Sequence, residues 1–536
     1  MASTSRPNIL VIQADQLTAK VLPMYGKPMV ITPHLSRLAD RGVTFVNAYC
    51  NNPVCAPSRA SMLTGRLSSA IGAYDNAGEF PSSTPTLAHY LRRQGYRTCL
   101  SGKMHFIGAD QLHGFEERLT TDIYPSDYGW TADWTKTDEP YSPSRMSLRS
   151  IVEAGLCERN LQIDYDEQVA YHAEQWLYDW ARDTDQRPFL LWASFTHPHN
   201  PFITTKEYWD LYDHAKIDLP RVPFIPIEAR DPWSQRYAYT IRADEHDISE
   251  EHIRTARHAY YAMTSYFDAF VGRLLGVLDR IGAAGKTYVV VTADHGEMMG
   301  ERGSWFKFQP FEWSIRVPMI VGGPGVKPGY REEKSVSLLD LLPTFNDLAT
   351  DGKGVPAVDP LDGKSLAGML AGDNSGREDV TPIEFLGEGV LAPACILVRD
   401  GLKVVHCDDD PPMLFDLRRD PDELVNLAGR PEHAAVQRAM HAEVQSRWDC
   451  AALEREILAS QKRRLFVQES LLQGRWSAWD YQPLTDASRQ YVRGAVDPNT
   501  TATKARRRFP YVPAVPPHHP RQRPGASDPA PDSPIE

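Results

Sequence analysis

Short apolar runs of strand length recur along this chain of 536 residues, and helical patterns lie between them. A continuous apolar run is typical of a strand that is buried on both faces of a parallel sheet. Four such runs are Asn8–Ala14, Tyr96–Ser101, Phe189–Phe195 and Tyr288–Thr292. Apolar spacing and capping residues indicate helices at Thr32–Arg41, Thr86–Gln94 and Glu251–Arg280. The alternation predicts an α/β fold with a sheet flanked by helices.

Polar and charged residues follow each of these predicted strands directly. Open α/β sheets bind their ligands at the carboxyl ends of the strands. We therefore expect the residues at these ends to meet in one site, although they are far apart in the sequence. They are Asp15, Lys103, His105, His197, Asp294 and His295.

The composition of the chain excludes some classes of function. With 58 Lys and Arg against 70 Asp and Glu, the formal net charge is −12, whereas a general nucleic-acid binder carries a basic excess. No run approaches the roughly 18 apolar residues of a membrane-spanning helix, and Ile9–Ile12 is too short for a secretory signal. Seven thinly spread cysteines do not resemble a disulfide framework. We expect a cytoplasmic protein that binds neither nucleic acid nor membrane.

The sequence pattern changes near residue 376. Short strand-like runs separated by turns follow, at Ile383–Leu386, Cys395–Arg399 and Lys403–Cys407. Residues 434–475 then have a helical pattern. This succession indicates a smaller C-terminal α+β domain over 376–511, after a catalytic domain over 1–375. The segment 512–536 is rich in proline and is predicted to be disordered or extended.

The segment Cys55–Gly65 reads C-A-P-S-R-A-S-M-L-T-G. It resembles the signature of the type I sulfatases, in which the Cys is oxidised to Cα-formylglycine, because Cys, Pro, Ser, Arg, Thr and Gly all fall at the signature spacing. A lone Cys is usually a small buried apolar residue, but within this motif we interpret Cys55 as the precursor of a nucleophile. Further segments that resemble this family are Lys103–His105, His197, Asp294–Gly296, Lys307, Leu414–Leu417, Asp420-Pro421 and Asn426-Leu427.

The resemblance implies an alkaline-phosphatase/sulfatase-like mixed sheet and the hydrolysis of sulfuric esters. The chemistry explains why an aldehyde is needed. A hydrated aldehyde carries two hydroxyls on one carbon, so one can attack sulfur while the other, once deprotonated, expels sulfate and restores the aldehyde. The partner that the resemblance implies for converting Cys55 is a formylglycine-generating enzyme or an anaerobic sulfatase-maturating enzyme.

The resemblance also implies roles for the other catalytic candidates. Arg59, four residues after the nucleophile, would stabilise its anionic form. Lys103 would bind sulfate, and His105 would take the proton of the second hydroxyl. His197 and Lys307 would contact sulfate and the bridging oxygen, and one of them would assist departure of the alcohol.

Asp15, Asp294 and His295 are the candidate metal ligands. Carboxylate oxygens suit a hard divalent cation, and Ca²⁺ is expected. Mn²⁺ is the alternative, because an imidazole at His295 stands where many sulfatases have a carboxamide. We assign structural, supporting or surface positions to the neighbouring polar residues His113, His199, Glu297 and Glu301.

Within this family the chain resembles the choline sulfatases. The segments that carry the resemblance are Tyr74–Ala77, Leu100–His105, Asp110–Pro125 and Trp305–Lys307. Aromatic faces and acidic neighbours bind quaternary ammonium groups, and Trp130 and Glu388 fall where these enzymes place such residues. Asn499 stands where they have an Asp, which removes one negative charge from the predicted pocket. The resemblance implies choline sulfate as the small-molecule substrate and a homo-oligomer, either a dimer or a tetramer.

Three other interpretations stay open at the level of sequence. Another small alkyl or amino-alcohol sulfate would fit the same residues. A phosphonate monoester or phosphodiester hydrolase could use the same scaffold and nucleophile. A binding protein for quaternary ammonium compounds with an unmodified Cys55 is the third, although such a protein would have no need of Lys103, His105 or Lys307.

Overall fold

The computed structural model describes residues 6–123, 128–136, 146–350 and 352–473. Asn499 and the proline-rich segment 512–536 lie outside these residues.

The strands of the described residues form one large sheet and three smaller ones. They are β1 Asn8–Ala14, β2 Val43–Phe45, β3 Ala48–Tyr49, β4 Arg97–Gly102, β5 Glu117–Arg118, β6 Gly155–Leu156, β7 Phe189–Ser194, β8 Ile203–Thr204, β9 Thr287–Ala293, β10 Met319–Gly322, β11 Tyr330–Glu332, β12 Val336–Ser337, β13 Val380–Phe385, β14 Ala394–Arg399, β15 Leu402–Cys407 and β16 Asp410–Asp416.

The α-helices of the same residues range from a single turn to 31 residues. They are α1 Pro33–Arg41, α2 Cys55–Thr64, α3 Leu87–Arg93, α4 Arg149–Val152, α5 Leu161–Arg182, α6 Lys206–Trp209, α7 Pro232–Thr240, α8 Glu250–Arg280, α9 Glu312–Ile315, α10 Leu341–Leu348, α11 Ala367–Leu370, α12 Ala434–Arg447 and α13 Cys450–Leu471. None of the helices in these ranges has the length and apolar composition needed to cross a membrane.

The large sheet has the strand order β11-β2-β10-β9-β1-β7-β4-β5. Its centre is parallel, since β1 pairs in parallel with both β7 and β9. β10 runs antiparallel to β9 and to β2, which makes the sheet mixed. The predicted α/β class with a mixed sheet is therefore confirmed.

The central strand β1 contains a run of four apolar residues because both of its faces are buried. Ile9, Leu10, Val11 and Ile12 are all fully buried. Because successive side chains of a strand point to opposite faces, this burial shows that both faces of the sheet are covered. Among the covering helices, α8 packs against both α1 and α5. Charged side chains follow β1 and β9 directly where these strands end, at Asp15 and Asp294.

The C-terminal part contains the smaller sheet that the sequence predicts. β13, β14, β15 and β16 form an antiparallel sheet in sequence order. Helix α12 packs on β14 and β15, and α13 follows it. The boundary predicted at residue 376 lies four residues before β13 and stays a prediction.

Two glycines fix the backbone at the ends of α2 and β4, the two segments that lead into the site. Gly65 ends α2 in the left-handed conformation, with φ 65°, and its N–H donates to the Ser61 carbonyl oxygen. Gly102 ends β4 with φ 111°, and a Cβ atom there would lie 1.9 Å from the Ser194 carbonyl oxygen. Only glycine fits this approach of β4 to β7, which fixes where Lys103 leaves the sheet.

Candidate active site

Cys55 is the first residue of α2 and is buried where the main strands end. Its Sγ lies 3.1 Å from His295 Nε2 and 3.9 Å from Asp15 Oδ1. Burial by itself would raise the pKa of the Cys55 thiol, but Lys103 and Lys307 outweigh burial and hold that pKa well below its usual range. The start of a helix also favours negative charge. The site is therefore built to stabilise an anion at this side chain.

Arg59 lies one turn further along α2 and is completely buried. Its Nε donates to Asp294 Oδ2 at 2.8 Å, and its Nη2 donates to Asp15 Oδ2 at 3.1 Å. Its Nη1 donates to the Lys103 carbonyl oxygen at 2.6 Å and to Ser194 Oγ at 2.9 Å. Arg59 thus links the ends of β1, β4, β7 and β9 through two carboxylates, a carbonyl oxygen and a hydroxyl.

The three predicted metal ligands lie together around Cys55. One donor atom from each of Asp15, Cys55, Asp294 and His295 lies within 4.8 Å of the others. His295 Nε2 is 3.8 Å from Asp15 Oδ1 and 3.8 Å from Asp294 Oδ1. Such separations are those of neighbouring ligands about 2.4 Å from a single cation.

The orientation of His295 also fits a metal ligand. Its Nδ1 lies 3.0 Å from the Gly296 carbonyl oxygen. When Nδ1 donates to that carbonyl, Nε2 keeps its lone pair and can bind a cation held between it and the two carboxylates. The donor set therefore suits a divalent cation.

The loop after β4 carries Lys103 and His105 into the site. The Lys103 ammonium forms a buried ion pair with Asp15. Asp122 Oδ2 accepts the backbone N–H groups of Met104 at 3.1 Å and His105 at 2.6 Å. The His105 side chain hydrogen-bonds Cys55 and helps to lower the pKa of that thiol, although burial opposes this effect. Asp122, which lies in the segment Asp110–Pro125 but was assigned no role from the sequence, shapes this loop by binding its backbone.

The two histidines after β7 have different surroundings. His197 Nδ1 lies 2.7 Å from Asp166 Oδ2, and its ring packs edge-on against Tyr266 at 4.8 Å. His199 Nε2 instead lies 2.9 Å from Lys307 Nζ. The structure therefore brings His199, and not the predicted His197, to the Lys307 side of the site.

The difference arises because Asp166 of α5 fixes the start of this loop. Its carboxylate accepts the backbone N–H groups of Thr196 at 2.7 Å and His197 at 2.9 Å, in addition to contacting the His197 ring. That ring is thereby held against α5, and the next histidine reaches the site.

Gln16 and Glu297 position the Lys307 side chain through a chain of two hydrogen bonds. Lys307 Nζ donates to Gln16 Oε1 at 2.6 Å. Gln16 Nε2 donates to Glu297 Oε2 at 2.5 Å, which fixes which end of the amide faces the lysine. Burial raises the pKa of Glu297 to about 7, although backbone N–H groups of Met299 and Phe306 oppose the shift. Glu297 was predicted to be a supporting or a surface residue. It is fully buried and supports Gln16, which in turn contacts Lys307.

A small cavity lies next to the start of α2. Trp130 and Glu388, the two predicted pocket residues within the described part of the chain, both line it. Val54, the residue before Cys55, lies in its wall. The Trp130 ring also packs edge-on against His105 at 5.9 Å. The remaining lining residues are Asp75, Asn76, Ala132, Phe308 and Gly387.

Helix α13 supports this cavity from the C-terminal part of the chain. Arg464 binds Asp75 with two hydrogen bonds, from Nη1 to Oδ1 at 2.6 Å and from Nη2 to Oδ2 at 3.0 Å. Gln461 Oε1 accepts the Trp134 backbone N–H at 3.0 Å, and the Trp134 indole donates to the Gly387 carbonyl oxygen at 3.0 Å. The wall of the pocket therefore depends on a helix that is almost 400 residues distant in sequence.

Residues 7–351 match the family model described as Sulfatase. The chain belongs to the sulfatase family. Two further family models match parts of this sulfatase. The model described as "N-sulphoglucosamine sulphohydrolase, C-terminal" matches residues 300–449, and the model described as "Choline sulfatase enzyme C terminal" matches residues 455–509. Membership makes the chain a hydrolase of sulfuric esters, and the family as a whole uses a divalent metal and a formylglycine.

Curated relatives and solved structures agree with the family. The sulfatase is 44% identical over 506 residues to the choline-sulfatase of Rhizobium meliloti, covering 93% of this chain and 98% of that protein. It is 28% identical over 446 residues to human arylsulfatase K, covering 79% of each chain. A phosphonate monoester hydrolase of Silicibacter pomeroyi has a similar structure, with a TM-score of 0.64, 26% identity and coverage of 89% of this chain and all of that one.

Proposed function

We propose that this sulfatase hydrolyses choline sulfate to choline and sulfate. The observation that carries the proposal is the cavity beside Cys55, which combines the aromatic face of Trp130 with the carboxylate of Glu388. An aromatic face with a neighbouring negative charge is the environment that binds a quaternary ammonium group. The similarity to a choline-sulfatase over almost the whole of both chains supports the same substrate.

Catalysis in this proposal starts from oxidised Cys55. A maturation enzyme of the formylglycine-generating or anaerobic sulfatase-maturating type would convert the side chain, and the hydrated aldehyde would supply two hydroxyls for attack on sulfur and release of sulfate. Cys55 is buried at the start of α2, where Lys103, Lys307, His295 and His105 lower the pKa of its thiol against the effect of burial, and this position supports an anionic nucleophile there.

The neighbouring side chains fit the proton transfers that the reaction needs. His105, which hydrogen-bonds Cys55, is the proposed base for a proton of the nucleophile. His199 and Lys307 contact each other at 2.9 Å, and we assign to them the sulfate oxygens and the bridging oxygen, with one of them donating a proton to the departing alcohol. Lys103 has the remaining sulfate contact. His197 is then a positioning residue, held by Asp166.

Asp15, Asp294 and His295 are the proposed ligands of the divalent metal. When bound there, the ion would offset the negative charge of the sulfate and favour the anionic nucleophile. The two carboxylates fit Ca²⁺, and the imidazole of His295 makes Mn²⁺ the alternative. Arg59 holds both carboxylates and is the residue that orients them toward the ion.

Two properties beyond the reaction belong to the same proposal. All seven cysteines are unpaired thiols in the described residues, which supports a reducing compartment such as the cytoplasm. The resemblance to choline sulfatases supports a homodimer or homotetramer.

A phosphonate monoester hydrolase is the second candidate, because solved hydrolases of this kind share the fold. The deciding experiment measures kcat/KM for choline sulfate, a neutral alkyl sulfate, an aryl sulfate and an aryl phosphonate monoester on a single matured preparation. We expect choline sulfate to have the highest value. A higher value for the neutral alkyl sulfate would refute the ammonium pocket, and a higher value for the phosphonate would refute the assigned reaction.

A further inference from the structure

A second group of potential metal ligands lies in the C-terminal part of the chain. His406, Asp408 and Cys450 each offer a donor atom, and these three atoms lie within 4.8 Å of one another. The thiol of Cys395 adjoins them, with its Sγ 3.8 Å from Cys450 Sγ. The sulfatase reaction uses none of these residues.

Two distances in this group match the edges of a tetrahedral zinc site. Two sulfurs about 2.3 Å from a tetrahedral zinc lie about 3.8 Å apart, and a nitrogen and an oxygen at about 2.1 Å lie about 3.4 Å apart. The two Sγ atoms of Cys395 and Cys450 are 3.8 Å apart. His406 Nε2 and Asp408 Oδ1 are 3.2 Å apart.

The backbone brings these side chains together for identifiable reasons. Cys395 on β14 is the direct cross-strand partner of His406 on β15, so their side chains share a face of the sheet. The pairing of β15 with β16 is interrupted between Val405 and Cys407. A bulge of this kind re-aims the side chain that it contains, which here is His406. Asp408 follows at the end of β15.

Cys450 reaches the same face from a different element. It is the first residue of α13, and the carboxylate of Asp449 caps this helix by accepting the Ala452 N–H at 3.0 Å. The Cys450 side chain hydrogen-bonds both Cys395 and His406. A surface cavity lined by His406, Asp408 and His441 adjoins the group and gives an ion a way in.

We propose that Cys450, His406 and Asp408 bind a divalent cation of the zinc type, with the Cys395 thiol beside Cys450 as the candidate fourth ligand. Thiolate and imidazole ligands select zinc over the hard cations that carboxylates prefer. The ion would fasten the first turn of α13 to the C-terminal sheet. Because Arg464 on the same helix binds Asp75 in the wall of the substrate cavity, the site stabilises the pocket from a distance.

The test uses Co²⁺ as the probe, since a cobalt–thiolate bond gives a charge-transfer absorption in the near ultraviolet. The full chain carries the substitution Cys55→Ala, so that no thiol of the active site contributes to the signal. We expect this protein to bind Co²⁺ with a charge-transfer band, to lose the band on adding Cys450→Ser or His406→Gln, and to keep it on adding Cys157→Ser. Cys157 is a half-buried cysteine elsewhere in the chain and provides the matched control.

Three results would overturn the proposal. They are the lack of a charge-transfer band, a band that survives Cys450→Ser, and a band that Cys157→Ser removes equally. The intact mass of the isolated protein distinguishes the metal site from a further alternative, a disulfide bond. A mass lower by about 2 Da that reduction restores would identify a disulfide between Cys395 and Cys450 in place of a metal site.

Discussion

Replacing Arg464 with Met should loosen the substrate pocket without touching the reacting groups. Arg464 and Asp75 form a bidentate ion pair whose side chains are only 7% and 5% exposed. The variant Arg464→Met keeps most of the apolar stem of the arginine but leaves the Asp75 carboxylate buried with a backbone N–H, that of Ala77, as its hydrogen-bond donor. Arg463, the exposed neighbour on α13, gives a matched control with the same change of charge.

The expected magnitude follows from the burial of the pair. Removing one partner of a buried ion pair costs about 3–5 kcal/mol, because the other charge stays uncompensated. At roughly 2.1 cal/mol/K per residue, the 536 residues give an unfolding entropy of about 1.1 kcal/mol/K. The melting temperature of Arg464→Met should therefore fall by about 3–4 °C if the chain unfolds cooperatively.

Calorimetry and steady-state kinetics together test this reasoning. We expect Arg463→Met to shift the Tm by less than about 1 °C, and Arg464→Met to lower the Tm and to raise KM for choline sulfate more than it changes kcat. The double variant Asp75→Asn/Arg464→Met should recover part of the lost Tm, since no buried charge is then left without a partner. Equal Tm values for Arg464→Met and Arg463→Met, or additive effects in the double variant, would refute this account of the ion pair between Arg464 and Asp75.

Three further predictions concern single side chains. Trp130→Ala should raise KM for choline sulfate by about 2- to 30-fold, the range of a cation–π contact of about 0.5–2 kcal/mol, and equal increases for a neutral aryl sulfate would contradict the ammonium pocket. His199→Gln should lower kcat with little change in Tm, whereas His197→Gln should mainly lower Tm because it disturbs the buried contact with Asp166; the reverse pattern would restore the original assignment to His197. Burial raises the pKa of Asp268 from its ordinary 3.8 to about 6 in the folded chain, so its contribution to stability is present below pH 4 and is lost as the pH rises through 6. The Tm of Asp268→Asn relative to the unsubstituted protein should then increase between pH 4 and pH 7, and a constant difference would contradict the shift.

Most of the fold could be predicted from the sequence, because buried parallel strands are continuous apolar runs. The run Asn8–Ala14 is the strand β1 with the predicted bounds, and β7 and β9 begin or end within one residue of their predictions. Because ligand sites of such sheets lie at the carboxyl ends of the strands, Asp15, Asp294 and His295 were expected to lie close together, and they do. The helix α2 had no apolar periodicity to reveal it, because all of its residues are buried.

The site was harder to predict where distant elements decide an orientation. Nothing near residue 197 tells which of the two histidines, His197 or His199, faces Cys55, because Asp166 on α5 decides the orientation from 31 residues away. The contact of Arg464 with Asp75 spans 389 residues. The cysteines and His406 of the C-terminal group follow no recognisable metal-binding spacing, because a cross-strand pair, a bulge and a helix start bring them together.

The most direct test of the account is the mass of the peptide that contains Cys55, measured on the same preparation as turnover of choline sulfate. Conversion of the thiol to an aldehyde lowers the peptide mass by about 18 Da. We predict that kcat per chain increases in proportion to the converted fraction across preparations with different degrees of maturation, and that Cys55→Ala is inactive yet folded. Full turnover by a preparation whose peptide keeps the unmodified mass would contradict the proposed mechanism.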